Sequence, residues 1–259
     1  MNVADLPAGL LDDLVARARD AEPSAFGAFV FGSYARGDAR PTSDLDLRVI
    51  THNSPAFPYR TWFAGQLHVS LGFNTVESLR ERAALPADWS LGFAVEAPAV
   101  WVWSTDEAIA ALGDPPIRRQ PSEPPEVEDF VEACAKGLSS SDSIAMRTAA
   151  MSAGAYAVPL VRELNQPITV AERRDVIPAA VGFPVAPPGW SDDLLVLLGL
   201  VPAGDDDVRI AVERMARGVL RLLRESRSTV GDRQPELTGY LMDGTLERHL
   251  GRRPPVLLP

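Results

Sequence analysis

Two aspartates spaced two residues apart, Asp44 and Asp46, are the strongest chemical signal in the sequence. They lie in the stretch DLDLRVI (residues 44–50), whose alternation of polar and apolar residues predicts a β-strand. Because side chains alternate across a strand, both carboxylates would share one face, with Leu45 and Leu47 on the other. Two adjacent carboxylates repel each other and therefore favour binding of a divalent cation. Oxygen ligands select Mg²⁺ or Mn²⁺, and Mg²⁺ also takes substrate phosphates as ligands.

A second signal precedes the aspartates. The apolar run at residues 26–31 predicts a strand that ends at Gly32 and Ser33, about ten residues before Asp44. A glycine without a side chain would let backbone N–H groups and the Ser33 hydroxyl approach a phosphate. Arg36 and Arg40 lie between the two motifs, where they either neutralise phosphate charge or remain solvated.

The whole pattern, an apolar residue, Gly-Ser, the spacer and Asp-apolar-Asp-apolar, resembles the signature of the DNA polymerase β-like nucleotidyltransferase superfamily. The motif covers residues 31–47, and a small catalytic domain followed by a helical one is similar to aminoglycoside nucleotidyltransferases and related bacterial proteins. The resemblance implies that Gly32 and Ser33 hold a nucleoside triphosphate and that Asp44 and Asp46 bind two metal ions. An acceptor oxygen would then attack the α-phosphate and release pyrophosphate.

The same resemblance suggests two further nucleotide contacts. Ser43, just before the aspartates, is a candidate for contacting a phosphate oxygen. Lys136, the sole lysine, falls in the first helix of the second half, where related enzymes place a cation against the triphosphate; the alternative is an exposed helical residue.

The family's third carboxylate has no clear counterpart. A strand is predicted at residues 67–73, but the expected position carries His68, with Ser70 next on that face. Either the neutral imidazole acts as the general base, or the chain binds nucleotide without catalysis. Glu77 and Glu96 are the fallback acids.

The surrounding pattern predicts an α+β chain. A first amphipathic helix at residues 6–18, a helix at 75–84 with Thr75 as its N-cap and a strand at 99–103 complete a small nucleotidyltransferase α/β domain with a mixed sheet. The proline-rich stretch GDPPIRRQPSEPPEV suggests a domain boundary, giving a catalytic domain at 1–118 and a helical bundle domain at 119–259. The helices of that second domain are predicted at residues 127–139, 143–164, 170–176, 192–200, 206–225 and 245–250.

Composition restricts the partners. The 25 basic and 35 acidic residues leave a formal charge of −10, which argues against non-specific DNA binding. One cysteine, no secretory signal and no apolar run of about 18 residues predict a cytoplasmic protein without a membrane span.

Together these observations predict a nucleotidyltransferase that uses Mg²⁺ (or Mn²⁺) and ATP or another nucleoside triphosphate. It would move a nucleoside monophosphate, AMP in the favoured case, onto a hydroxyl of a small molecule. The acidic balance favours a cationic acceptor such as an aminoglycoside. The alternatives are a protein- or tRNA-modifying enzyme, for which no basic stripe supports tRNA, and a catalytically silent nucleotide-binding module.

Overall fold

A computed structural model of the protein describes residues 1–113 and 117–226. A helix and six strands, with three shorter helices between and after them, make up the first part of the chain. In chain order these elements are α1 (Leu10–Ala21), β1 (Ala25–Phe31), α2 (Ser33–Arg36), β2 (Leu45–Thr51), β3 (Tyr59–Ala64), β4 (Leu67–Thr75), α3 (Val76–Ala84), β5 (Ala94–Ala97), β6 (Ala99–Ser104) and α4 (Asp106–Leu112). The predicted strands and the helix after β4 are present with their ends shifted by one or two residues.

A five-stranded mixed sheet carries the candidate site. Its strand order is β3-β4-β2-β1-β6, and only β2 and β4 run parallel to each other. The parallel pair places Asp46 beside Ser70, and the antiparallel pairing of β1 with β2 places Phe31 beside Asp46. The sheet therefore brings the end of β1 and the starts of β2 and β4 to one place.

One face of this sheet is buried beneath α1. Leu45, Leu47 and Val49 of β2 have essentially no exposed surface and pack in a cluster with Leu14 and Ala18 of α1. Since β2 alternates, Asp46 and Arg48 point to the opposite face. The apolar residues of β2 thus fix the direction in which its charged residues project.

A smaller sheet and several short elements were not predicted. The chain continues with β7 (Ile117–Arg119) and later with β8 (Thr169–Val170), which flank β5 in a three-stranded sheet of order β7-β5-β8. The prediction of a helix at residues 170–176 is wrong, because residues 169–170 pair with β5 and the helix begins only at Arg173.

The later part of the chain is helical, as predicted. Its helices are α5 (Val127–Ser139), α6 (Ser143–Arg162), α7 (Arg173–Val181), α8 (Trp190–Leu197) and α9 (Asp205–Glu225). The Asp142 side chain caps α6, and the Asp207 side chain accepts a hydrogen bond from the Gly204 N–H at the start of α9. The helix predicted at residues 245–250 lies outside the described residues.

Helix α6 is long and apolar enough to cross a membrane by length and composition alone, with a mean hydropathy of 1.2 over its best window. Half of that window is buried inside the protein, where α6 packs against α5 and α9. A buried core helix passes the same test, so this finding is weak as an indication of a membrane span.

The described chain divides into two compact units. The first contains residues 1–87, 94–120 and 169–173, and the second contains residues 88–93, 121–168 and 174–226. The fold class is the predicted one, a mixed α+β sheet domain followed by a helical region. The single boundary at residues 118/119 stays a prediction, because two short segments group with the unit on the other side of it.

Candidate active site

The turn after β1 approaches the aspartates directly. Gly32 has φ 74° and ψ −150°, a backbone conformation open essentially to glycine alone. A Cβ built at this position would lie 3.0 Å from Asp46 Oδ2. Only a residue without a side chain can turn here, and the turn leaves its backbone against a carboxylate of the pair.

The two carboxylates differ in their surroundings. Asp44 precedes β2 and its side chain is half exposed, whereas Asp46 is the second residue of the strand and is more deeply buried. Burial raises the pKa of Asp46 to about 6, and the neighbouring Asp44 charge adds to the rise. Arg48, His68 and Arg36 lower that pKa but do not offset the burial. Ionised Asp46 is therefore disfavoured by burial, and a bound cation would favour its charged form.

His68 lies beside the pair, as the sequence predicted. It is the second residue of β4, and its Nδ1 is 3.9 Å from Asp44 Oδ2. Its ring packs against that of Phe63 on the neighbouring strand, with the ring centroids 5.2 Å apart. About two fifths of the imidazole remains exposed, so an acceptor hydroxyl can reach it.

The fallback acids lie elsewhere. Glu96 is on β5 in the smaller sheet, where its carboxylate accepts from Arg118 at 3.2 Å. Glu77 is in the first turn of α3, beyond Thr75 at the far end of β4. From Ser70 to Thr75 the strand rises about 17 Å, so Glu77 does not approach the pair.

The carboxylates of Asp44 and Asp46 fit a hard divalent cation that takes its remaining ligands from a substrate. Within residues 1–113 and 117–226, no three His, Cys, Asp or Glu side chains are arranged as a complete metal site. Asp44 and Asp46 provide carboxylate oxygens on one face, and Mg²⁺ completes such a shell with water and substrate phosphates. A cation bound there would favour the ionised form of Asp46, which burial disfavours.

The remaining predicted nucleotide contacts have different environments. The Ser33 hydroxyl is partly buried and has no hydrogen-bond partner among the described residues. Ser43 Oγ accepts from the Arg40 N–H at 2.9 Å and so shapes the loop before Asp44. The Arg36 side chain is largely buried, and its Nη2 donates to Glu172 at 2.5 Å.

Lys136 belongs to the second unit. Its ammonium is 2.6 Å from Glu132 Oε1 on the same helix, and the side chain is exposed. That surface pair matches the alternative of an exposed helical residue, and a nucleotide contact by Lys136 stays a prediction.

Sequence reasoning overlooked Arg48. Its guanidinium lies over the rings of Phe31, at 4.7 Å, and Tyr59, at 5.0 Å. The signal was available, because Asp44, Asp46 and Arg48 are two residues apart in the same alternating strand. The sequence alone does not show that Gly72, on the neighbouring strand β4, leaves room for the Arg48 side chain.

Two models of protein families match the chain. Residues 12–108 match the family model described as nucleotidyltransferase domain, and residues 126–225 match the one described as nucleotidyltransferase, substrate binding domain. No curated protein matches the chain. Among solved structures, a nucleotidyltransferase-like protein from Exiguobacterium sibiricum 255-15 aligns with a TM-score of 0.42 and 16% identity, over 92% of this chain and 79% of that one. By its two domain families, the chain belongs to the nucleotidyltransferases, with a nucleotidyltransferase domain followed by a substrate-binding domain.

Proposed function

We propose that the protein transfers AMP from ATP, with Mg²⁺ held by Asp44 and Asp46, onto a hydroxyl of a small cationic molecule. The observation that carries this proposal is the close approach of the Gly32 turn to Asp46, one of two carboxylates spaced two residues apart. Triphosphate oxygens placed over that turn would reach a cation held by the two aspartates. When bound, the metal ion would neutralise charge on the phosphate oxygens.

His68 is proposed as the general base. The acceptor oxygen forms a bond to the α-phosphorus, and the bond from that phosphorus to the bridging oxygen of the β-phosphate breaks. Pyrophosphate leaves with the electron pair, and the acceptor proton passes to the imidazole. A neutral imidazole near neutral pH suits this role, and its exposure beside Asp44 supports it.

Two observations support a small cationic acceptor. The second family model describes a substrate-binding domain, and the chain carries a formal charge of −10. Opposite charge raises the local concentration of a cationic ligand. Aminoglycosides are polycations with many hydroxyl groups and are the first acceptors to test. A protein or tRNA acceptor is the alternative. The domain families indicate an enzyme, which argues against the silent module.

Calorimetric titration of ATP tests the nucleotide half of this proposal. The wild type should bind ATP with Mg²⁺ and lose this binding in EDTA, and Asp44→Asn/Asp46→Asn should lose the metal-dependent part. Asp12→Asn, a change of one exposed carboxylate on α1, is the matched control and should bind like the wild type. Absence of metal-dependent binding in the wild type would contradict the proposal.

Pyrophosphate release tests the transfer. With Mg²⁺ and ATP, release should depend on an added acceptor, and a panel of aminoglycosides, neutral sugars, tRNA and protein would identify its class. Mass spectrometry should show the acceptor heavier by one AMP. Transfer to tRNA or protein, with none to aminoglycosides, would overturn the small cationic acceptor but leave the nucleotidyltransferase reaction intact.

A further inference from the structure

Arg48 is held in an unusual place on the face that carries the aspartates. It lies two residues beyond Asp46 on β2, about 6.6 Å further along the strand. Its guanidinium extends over Gly72 of the neighbouring strand β4, where a Cβ would lie 1.7 Å from Nη1. The rings of Phe31 and Tyr59 both lie within 5.0 Å of it.

The Arg48 guanidinium makes no ion pair within residues 1–113 and 117–226. Within the described residues, no carboxylate or carbonyl accepts a hydrogen bond from Arg48, although two aspartates lie on the same strand face. The guanidinium instead packs against the two rings and occupies the space above Gly72. Arginine has five N–H donors in a planar fork, so donors remain available for a ligand.

The Arg48 guanidinium and the Tyr59 ring can be reached from solvent. Arg48 is partly exposed, and Tyr59, on the edge strand β3, is 51% exposed. A planar cation fixed beside two metal-binding carboxylates complements an anion that bridges both. Phosphate oxygens have that chemistry, because they accept from arginine and also ligate divalent cations.

We infer that Arg48 is a nucleotide-binding residue that donates to a phosphate oxygen of the triphosphate. This inference rests on the proposed function, since it needs the nucleotide at the aspartate pair. The aromatic rings and Gly72 act as positioning groups that keep the guanidinium directed to the phosphate and away from Asp46.

Binding of two probes separates this role from a structural one. Arg48→Gln should weaken Mg²⁺–ATP binding by about tenfold to a hundredfold, because a charge-assisted hydrogen bond is lost. The same variant should bind Mn²⁺ alone as well as the wild type or more tightly, because a positive charge near the aspartates has been removed. A distorted site would lose affinity for both probes.

Three variants complete the experiment. Arg48→Lys keeps the charge but loses the planar fork and should weaken Mg²⁺–ATP binding severalfold. Gly72→Ala places a Cβ where the guanidinium lies and should reproduce the Arg48→Gln effect with the arginine still present. Arg19→Gln removes another arginine that lies over an aromatic ring, since Arg19 of α1 is 5.2 Å from the ring centroid of Trp103 on β6, and it should leave both affinities unchanged.

The outcomes are distinguishable. Wild-type affinity for Mg²⁺–ATP in both Arg48→Lys and Gly72→Ala would overturn the inference, even where Arg48→Gln does not fold. Parallel loss of Mn²⁺ and Mg²⁺–ATP binding in folded Arg48→Gln would overturn it too. If the wild type itself binds no Mg²⁺–ATP, the proposed function fails and the inference fails with it. If the wild type binds Mg²⁺–ATP and Asp46→Asn does not, the nucleotide site is where we propose it, and the Arg48 and Gly72 variants alone test the inference about Arg48.

Discussion

Replacing Asp46 with asparagine should stabilise the metal-free protein at neutral and alkaline pH while removing metal-dependent nucleotide binding. The carboxylate is buried beside Asp44, and its pKa rises from 3.8 to about 6. The folded protein therefore holds the Asp46 proton more tightly than the unfolded chain does. Asparagine has nearly the same shape and carries no charge, so Asp46→Asn avoids the cost of an ionised carboxylate in this position.

The pH dependence follows from the direction of that shift. Between the two pKa values the unfolded chain binds fewer protons than the folded protein, so stability falls as pH rises from about 4 to 6 and is level above about 7. Two pKa units correspond to about 3 kcal/mol, and partial exposure to water reduces this to about 1 to 2 kcal/mol. Asp46→Asn should recover that amount at pH 8 and almost none at pH 4.

Thermal unfolding followed by circular dichroism in EDTA measures the effect. At pH 8 the melting temperature of Asp46→Asn should exceed that of the wild type by about 2 to 8 °C, and at pH 4 the two should agree. Adding Mg²⁺ at pH 8 should raise the wild-type melting temperature and narrow the difference.

Asp20→Asn, a change of one exposed carboxylate on α1, is the control and should change the melting temperature at pH 8 much less than Asp46→Asn does. A difference of equal size at both pH values for Asp46→Asn, or a destabilised variant at pH 8, would refute the electrostatic account of this site.

Four other substitutions have defined outcomes. Gly32→Ala should lower the free energy of unfolding by about 1 to 3 kcal/mol in urea titrations, because alanine does not adopt this backbone conformation and its Cβ would crowd Asp46. His68→Ala should lower kcat by about 10²- to 10⁴-fold with KM for ATP nearly unchanged, and equal loss in both would instead indicate a binding or structural role. Arg214→Met should lower the free energy of unfolding by about 3 to 5 kcal/mol, because it leaves the buried Asp193 carboxylate unpaired. Asp193→Asn should lower it by less, because the Arg214 side chain that loses its partner is 59% exposed. A larger loss for Asp193→Asn than for Arg214→Met in urea titrations would contradict this.

The sequence predicted best what local chemistry determines. Strand β2 was recognisable because its alternation also sorts residues by burial, with Leu45 and Leu47 inside and Asp46 outside. The start of α3 was recognisable because Thr75 supplies its own cap, accepting from the Ser78 N–H at 3.1 Å. Because the Asp pair and the Gly32 turn lie on consecutive strands, they could be placed near each other before the fold was known.

Elements that depend on distant partners could not be predicted in the same way. Strand β8 has only two residues and forms because Ala94 and Val95 of β5 lie beside it, which no local pattern records. The helix predicted from residue 170 followed local propensity, but Val170 pairs with β5 and the helix begins only at Arg173. The place of Arg48 similarly depends on Gly72 and Tyr59, which β4 and β3 bring to it.

Arg36 shows how a distant residue alters the function that a motif suggests. Its place between the Gly-Ser turn and the aspartates suggested a phosphate contact, but its guanidinium donates to Glu172, 136 residues later in the chain, and pairs with Asp38. These two carboxylates pair with Nε and Nη2, and the remaining nitrogen, Nη1, is buried. Arg36 closes the short helix α2, which begins at Ser33. Its ion pairs therefore suit a group that holds α2 and the turn before it in position, and a direct contact of Arg36 with nucleotide stays a prediction.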